Sequence, residues 1–250
     1  MRATAAQASN WGPLGCARLP TTPERTATDY ARKVFAIDGR FIAATFGWAI
    51  LQGKTIAGHV REFDQQVAIT GDVHQAAEGL RDYFQALIQA HIAAGLDPAP
   101  AAGIDPLGFI VGGADAAGIG HLKRVWPLSG TIQDLFQTNN PGGVWNGEVD
   151  VVLRLLKGWD QVRIDASGWP QPHQDTLAQA EYIANFGWFA LQDAIDWTLY
   201  VTRTTIDTQR FTNGTLGSPG AAPTCGGEVE VAVVTPGDGV RWVRRTDLRA

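Results

Sequence analysis

The chain has 250 residues, 45% of them hydrophobic and 18% charged, with a net charge of −5. That length suits one domain, or at most two, with a core large enough to be stable without staples. Phosphate binding needs clustered Lys and Arg, which this mildly acidic chain lacks, so no nucleic-acid partner is expected. No run approaches the ~20 apolar residues needed to span a bilayer, so no membrane partner is expected either. Cys16 and Cys225 are the only cysteines. Two thiols make no disulfide framework, and no apolar signal segment is visible near Met1, which points to a reducing, cytoplasmic setting.

Residues 1–32 are rich in Ala, Thr and Pro and show no alternation, so they read as a divergent or poorly ordered segment ahead of one domain over 33–250. From Lys33 the texture changes. Apolar runs at 33–37 and 40–46 flank Asp38-Gly39, a strong hairpin signal. Gly47 ends the second run, and Trp48, Leu51, Ile56, Val60 and Phe63 then fall at helical spacing, predicting a helix over 48–67. A second helix is predicted over 72–94, closed by Gly95. After a Pro- and Ala-rich linker come three strands, at 107–112, 121–126 and 131–138. A third helix over 144–157 is closed by Gly158, residues 158–172 read as a connector, and 176–211 read as helical with a break at Gly187. A loop over 212–227 leads to a last hairpin, with strands at 228–234 and 240–244.

Strands and helices come in separate runs, which predicts an α+β chain with antiparallel sheets. Several strands are apolar on both faces; Val229, Val231 and Val233 lie on one and Ala232 and Val234 on the other. Sheets covered on both sides give a four-layer α/β/β/α sandwich.

Three segments in that order carry a family likeness. Lys33-Val34-Phe35-Ala36-Ile37-Asp38 is followed by the strand from Phe41 to Phe46 and then by Gly47. Phe109-Ile110-Val111-Gly112-Gly113-Ala114-Asp115 places a glycine pair before an acidic turn, and Gly226-Gly227-Glu228-Val229 opens the final hairpin. Together they resemble the proteasome β-type subunits of the N-terminal-nucleophile (Ntn) hydrolase family. The resemblance implies a threonine-type peptidase that cleaves peptides or unfolded proteins inside a ring-shaped homo-oligomer, with an ATP-dependent unfoldase as a further partner and no cofactor. It also implies that Lys33 helps to deprotonate the nucleophile and that the Gly47 N–H donates to the oxyanion. The nucleophile would be a newly exposed N-terminal residue, for which Thr4, Ser9, Cys16 and Thr21 are the candidates; Thr4 leaves the most chain before Lys33. The likeness departs from the family at Thr138-Asn139-Asn140-Pro141, where no serine stands, and at Ala222, which replaces an aspartate three residues before Cys225. The other functions this fold carries are those of a silent structural subunit and of an amidohydrolase acting on a small amide.

Other groupings read as structural. His59, His74, His91, His121 and His173 show no ligand spacing, so no metal is expected. The glycines of 113–120 lack the order and the βαβ setting of a dinucleotide loop. Asp193, Asp196 and Asp207 read as the solvated face of a helix, and Trp48, Trp145, Trp188 and Trp197 as packing or subunit contacts.

Overall fold

The structure, a computed structural model, describes residues 31–95, 105–136, 141–215, 218–220 and 223–245. The candidate nucleophiles Thr4, Ser9, Cys16 and Thr21 therefore lie outside the described residues, as do Asn139 and Asn140. Among the described residues no helix is long and apolar enough to cross a membrane.

Strands β1 (Val34–Ile37) and β2 (Phe41–Gly47) form the expected hairpin. Asp38 and Gly39 take consecutive left-handed φ values of 51° and 64°, the turn geometry that twists with its strands. The helix expected over 48–67 starts later. Gln52 and Gly53 repeat the double left-handed turn, at φ 50° and 73°, and fold β3 (Ile50–Leu51) onto β4 (Lys54–Thr55). Helix α1 (Ile56–Gln66) begins only after Thr55, whose hydroxyl accepts the Gly58 N–H at 3.2 Å. Helix α2 (Val73–Ala93) agrees with expectation, capped by the Asp72 carboxylate and followed by Gly95 at φ 64°.

Strands β5 (Leu107–Ala114), β6 (Gly120–Trp126) and β7 (Thr131–Asp134) complete an antiparallel sheet of order β1-β2-β5-β6-β7. Helices α1 and α2 cover one face. Phe63, Leu80, Phe84 and Ile88 pack on Ile37, Ala43, Phe109 and Val111, all almost wholly removed from water. Each such side chain contributes on the order of 1.5–3 kcal/mol of burial. Central strand β5 is buried on both faces, and its glycines let aromatic rings approach. A Cβ at Gly108 would lie 2.3 Å from Phe46 and 2.7 Å from Trp126; one at Gly113 would lie 2.5 Å from Phe41.

The second half differs more from its expected layout. Helix α3 spans Asp150–Lys157 and does not begin at Val144, because Gly147 at φ 84° breaks the backbone just before it. The presumed connector holds α4 (Gln161–Ala166), and α5 (Gln171–Ala178) starts with Pro172 in its first turn. The long helix expected from Thr176 is interrupted over 179–190, where a single 3₁₀ turn (Phe186–Trp188) contains Gly187; α6 follows at Leu191–Phe211. After the short pair β8 (Gly214–Thr215) and β9 (Ser218–Pro219), the last hairpin is β10 (Val231–Thr235) and β11 (Gly239–Arg244). Its first strand starts three residues later than expected.

This hairpin lies against the first sheet. The Val240 N–H donates to Gly39 O at 2.9 Å, and Val234 approaches Gly112. On the other side Val229, Val231 and Val233 pack with Ile195, Leu199 and Ile206 of α6. The chain is thus mixed α/β, with every described strand pair antiparallel.

Candidate functional site

Four lysines occur in the chain. Three are held by carboxylates: Lys54 by Glu62, Lys123 by Asp134 at 2.6 Å, and Lys157 by Glu181 at 3.3 Å. Lys33 has no carboxylate partner for its ammonium among the described residues. It sits just before β1, opposite Thr45, whose N–H donates to Lys33 O at 2.8 Å. The lysine keeps contact with solvent, yet the packing around it desolvates the ammonium and lowers its pKa below the usual lysine value; the nearby Cys225 opposes that in part.

Gly47 lies two residues beyond Thr45 and ends β2 at φ 90°. Trp48 donates its N–H to Pro106 O at 2.9 Å, toward β5, whereas Thr45 donates toward β1. Because amide direction alternates along an antiparallel strand, the Gly47 N–H faces the same side as that of Thr45, past the start of β1. Lys33 and Gly47, paired by the sequence resemblance, therefore lie at the same end of the β1–β2 pair, with the Gly47 N–H on the β1 side. A side chain at Gly47 has no room, since a Cβ would lie 2.2 Å from Pro106 O.

The segment before β10 closes this corner. Glu230 accepts the backbone N–H groups of Lys33 and Val34 through one carboxylate oxygen, at 3.3 and 3.4 Å. Gln209 of α6 accepts the N–H groups of Thr224 and Cys225, both at 2.9 Å, fixing the thiol beside Lys33. Burial raises the Cys225 pKa; Glu148 and Asp150 add to that, and Lys33 acts against it. A thiol pushed upward is a poorer nucleophile at neutral pH, which argues against Cys225 as an attacking group. Cys225, Gln209 and Glu230 escape a reading of spacing alone because each reaches the corner from far along the chain. For Cys225 a signal did exist, since it stands where the resembling family places a serine.

Beside this corner, Cys225 also lines a cleft of about 660 Å³ that carries Arg203, Arg210 and Arg244. Asp193, Asp196 and Asp207 do not gather into a carboxylate pair. Asp193 caps the start of α6 by accepting the Ala190 N–H at 2.8 Å, Asp196 accepts from Gln192, and Asp207 faces the arginine cleft. His59 and His91 are buried structural groups, hydrogen-bonded to Leu51 O and to the Gln52 N–H. His74, Asp115 and His121, in contrast, come together at the opposite end of β5. Comparison with known proteins finds no family model that matches this chain and no curated protein that matches it.

Proposed function

We propose that the chain is an amide-bond hydrolase of Ntn type, a threonine-type peptidase subunit that cleaves peptides within a ring-shaped assembly in the cytoplasm. The observation that carries this reading is the spared lysine. Among the described residues, Lys33 alone of the four lysines keeps its ammonium out of a carboxylate pair, at a corner where the Gly47 amide also points. An ammonium of lowered pKa beside an attacking hydroxyl shifts that hydroxyl toward its reactive form, and a fixed backbone N–H stabilises the oxyanion that forms next. The hydroxyl would come from the segment ahead of β1, with Thr4 as the candidate exposed by processing. The order of α1 and α2, the five-stranded sheet, the β10–β11 hairpin and α6 supports the four-layer sandwich of that class.

Ring assembly is supported by an exposed apolar surface. Tyr182, Ile183, Trp188 and Phe211 are each more than three-quarters exposed, and Leu191 and Tyr200 about half. Exposed apolar surface of this extent favours contacts with other chains. It lies in and around α6, whereas α2 buries its apolar face on the sheet. An unfoldase partner follows from the same reading, because a closed chamber admits only unfolded chains. The silent-subunit alternative draws on one specific observation, that burial raises the pKa of the Cys225 thiol beside Lys33.

The test is turnover of a fluorogenic peptide by wild type and Lys33→Ala. The reading expects turnover in the first and a loss of at least about a hundredfold in the second, with melting temperatures within a few degrees. Equal turnover by the two proteins would refute the role of Lys33, and assembly without any turnover would favour the silent subunit.

A further inference from the structure

His74, Asp115 and His121 each offer a ligand atom, and these atoms all lie within 4.8 Å of one another. No sequence spacing announces the group. His74 sits in the first turn of α2, Asp115 follows β5 and His121 is in β6, so only the fold unites them. Each is anchored by its element. Asp72 caps α2 through the His74 N–H at 2.9 Å, and His121 is in register with Gly113 across the β5–β6 ladder. Asp115 uses one carboxylate oxygen to accept the N–H groups of Ala117 and Ile119, both at 2.9 Å. Its other oxygen is thereby directed at His121 Nε2, 2.9 Å away. The two imidazole centroids are 4.9 Å apart, tilted by 59°.

We propose that His74, Asp115 and His121 form a binding site for a divalent transition-metal ion of the zinc type. Two imidazoles and one carboxylate are the donors that borderline cations prefer, and hard cations such as magnesium and calcium prefer sites made of oxygen alone. A tetrahedral ion with bonds near 2.0 Å needs donors about 3.3 Å apart, so modest side-chain rotations close the set. Three protein donors leave a fourth position open to water or to an incoming ligand. The site has the exposure that this requires, with the Asp115 and His121 side chains 20% and 16% accessible. The two backbone donors on Asp115 fix its orientation, the outer-shell support that metal-binding carboxylates usually have. Lys123 is engaged with Asp134, next to the two histidines, and so is not free to compete for Asp115.

The site is independent of the Lys33 corner. β5 runs from its pairing with Gly47 to Asp115, so its length of eight residues separates the two by roughly 25 Å.

The test uses the full chain, stripped with a chelator and titrated with zinc(II) by calorimetry and with cobalt(II) by visible absorption. One zinc per chain should bind with a Kd of about 1 µM or tighter, and cobalt should give the intense d–d bands of a four- or five-coordinate ion. His74→Ala and His121→Ala should each weaken zinc binding at least about a hundredfold, while His173→Ala should leave it unchanged. Zinc should also protect His74 and His121 of the wild type from diethyl pyrocarbonate, a readout that no substitution can confound. Binding of much less than one equivalent, affinity unaltered in His74→Ala, or unprotected His74 and His121 would each overturn the site.

Discussion

Gly47→Ala probes the corner of the sheet most sharply, because two distinct penalties coincide there. At φ 90° an alanine is strained, and its Cβ would meet Pro106 O at 2.2 Å, backbone against backbone. Relief requires β2 and the start of β5 to separate, with loss of the bond from the Trp48 N–H to Pro106 O. Strain of about 1–3 kcal/mol and a lost bond worth about 1 kcal/mol sum to about 3 kcal/mol. For a chain of this size that lowers the Tm by about 6–12 °C. Gly39→Ala is the control, since Gly39 also has positive φ, at 64°, but nothing lies within 4 Å of its Cβ position. It should cost only the strain, about 1 kcal/mol, and about 2–4 °C. The assay is thermal unfolding followed by far-UV circular dichroism on both variants. If Gly47→Ala melts no lower than Gly39→Ala, the close contact with Pro106 does not shape this corner.

Lys33 should be the first lysine acylated by limiting acetic anhydride at pH 8, read by peptide mass spectrometry, because its lowered pKa leaves more neutral amine while the other three are engaged by carboxylates. The unfolded chain binds this proton up to higher pH than the folded one, so stability should rise slightly with pH between the folded pKa of Lys33 and its ordinary value, and Lys33→Met should remove that rise in urea titrations. Lys33→Met should also slow alkylation of Cys225 at pH 8 severalfold, because the cation that opposes the raised thiol pKa is gone; an unchanged rate would place the two groups apart. Ile183→Asp combined with Trp188→Asp should reduce the particle mass seen by light scattering to that of a single chain; wild type that is already monomeric at micromolar concentration would remove the ring assembly from the account.

The parts of this fold that announce themselves in the sequence are those set by local chemistry. Asp38-Gly39 specifies its turn whatever surrounds it, and Asp72 and Gly95 mark both ends of α2. The errors arise where two local signals overlap. Trp48, Leu51 and Ile56 do fall at helical spacing, yet Gln52-Gly53 makes a tight turn among them, so the helix waits for the Thr55 cap. The run from Thr176 to Phe211 fails as one helix because the stretch around Gly187 carries little apolar surface into the core. Tyr182, Ile183 and Trp188 instead face outward, where nothing in a single chain rewards helical order. Of the candidate site, Lys33 and Gly47 are singled out by the family resemblance of their hairpin. Glu230 and Gln209 are not, because a carboxylate on backbone amides almost 200 residues away leaves no periodic trace. The His74, Asp115 and His121 group is hidden for the same reason.

The most direct measurement is the intact mass of the purified full chain before and after an electrophile that reacts with N-terminal threonine, with Lys33→Ala alongside. The account predicts loss of an N-terminal segment that exposes a new residue ahead of Lys33, one adduct per chain on that residue, and no adduct on the Lys33→Ala protein. An unprocessed chain that takes up no adduct, or an adduct that forms equally well without Lys33, would contradict it.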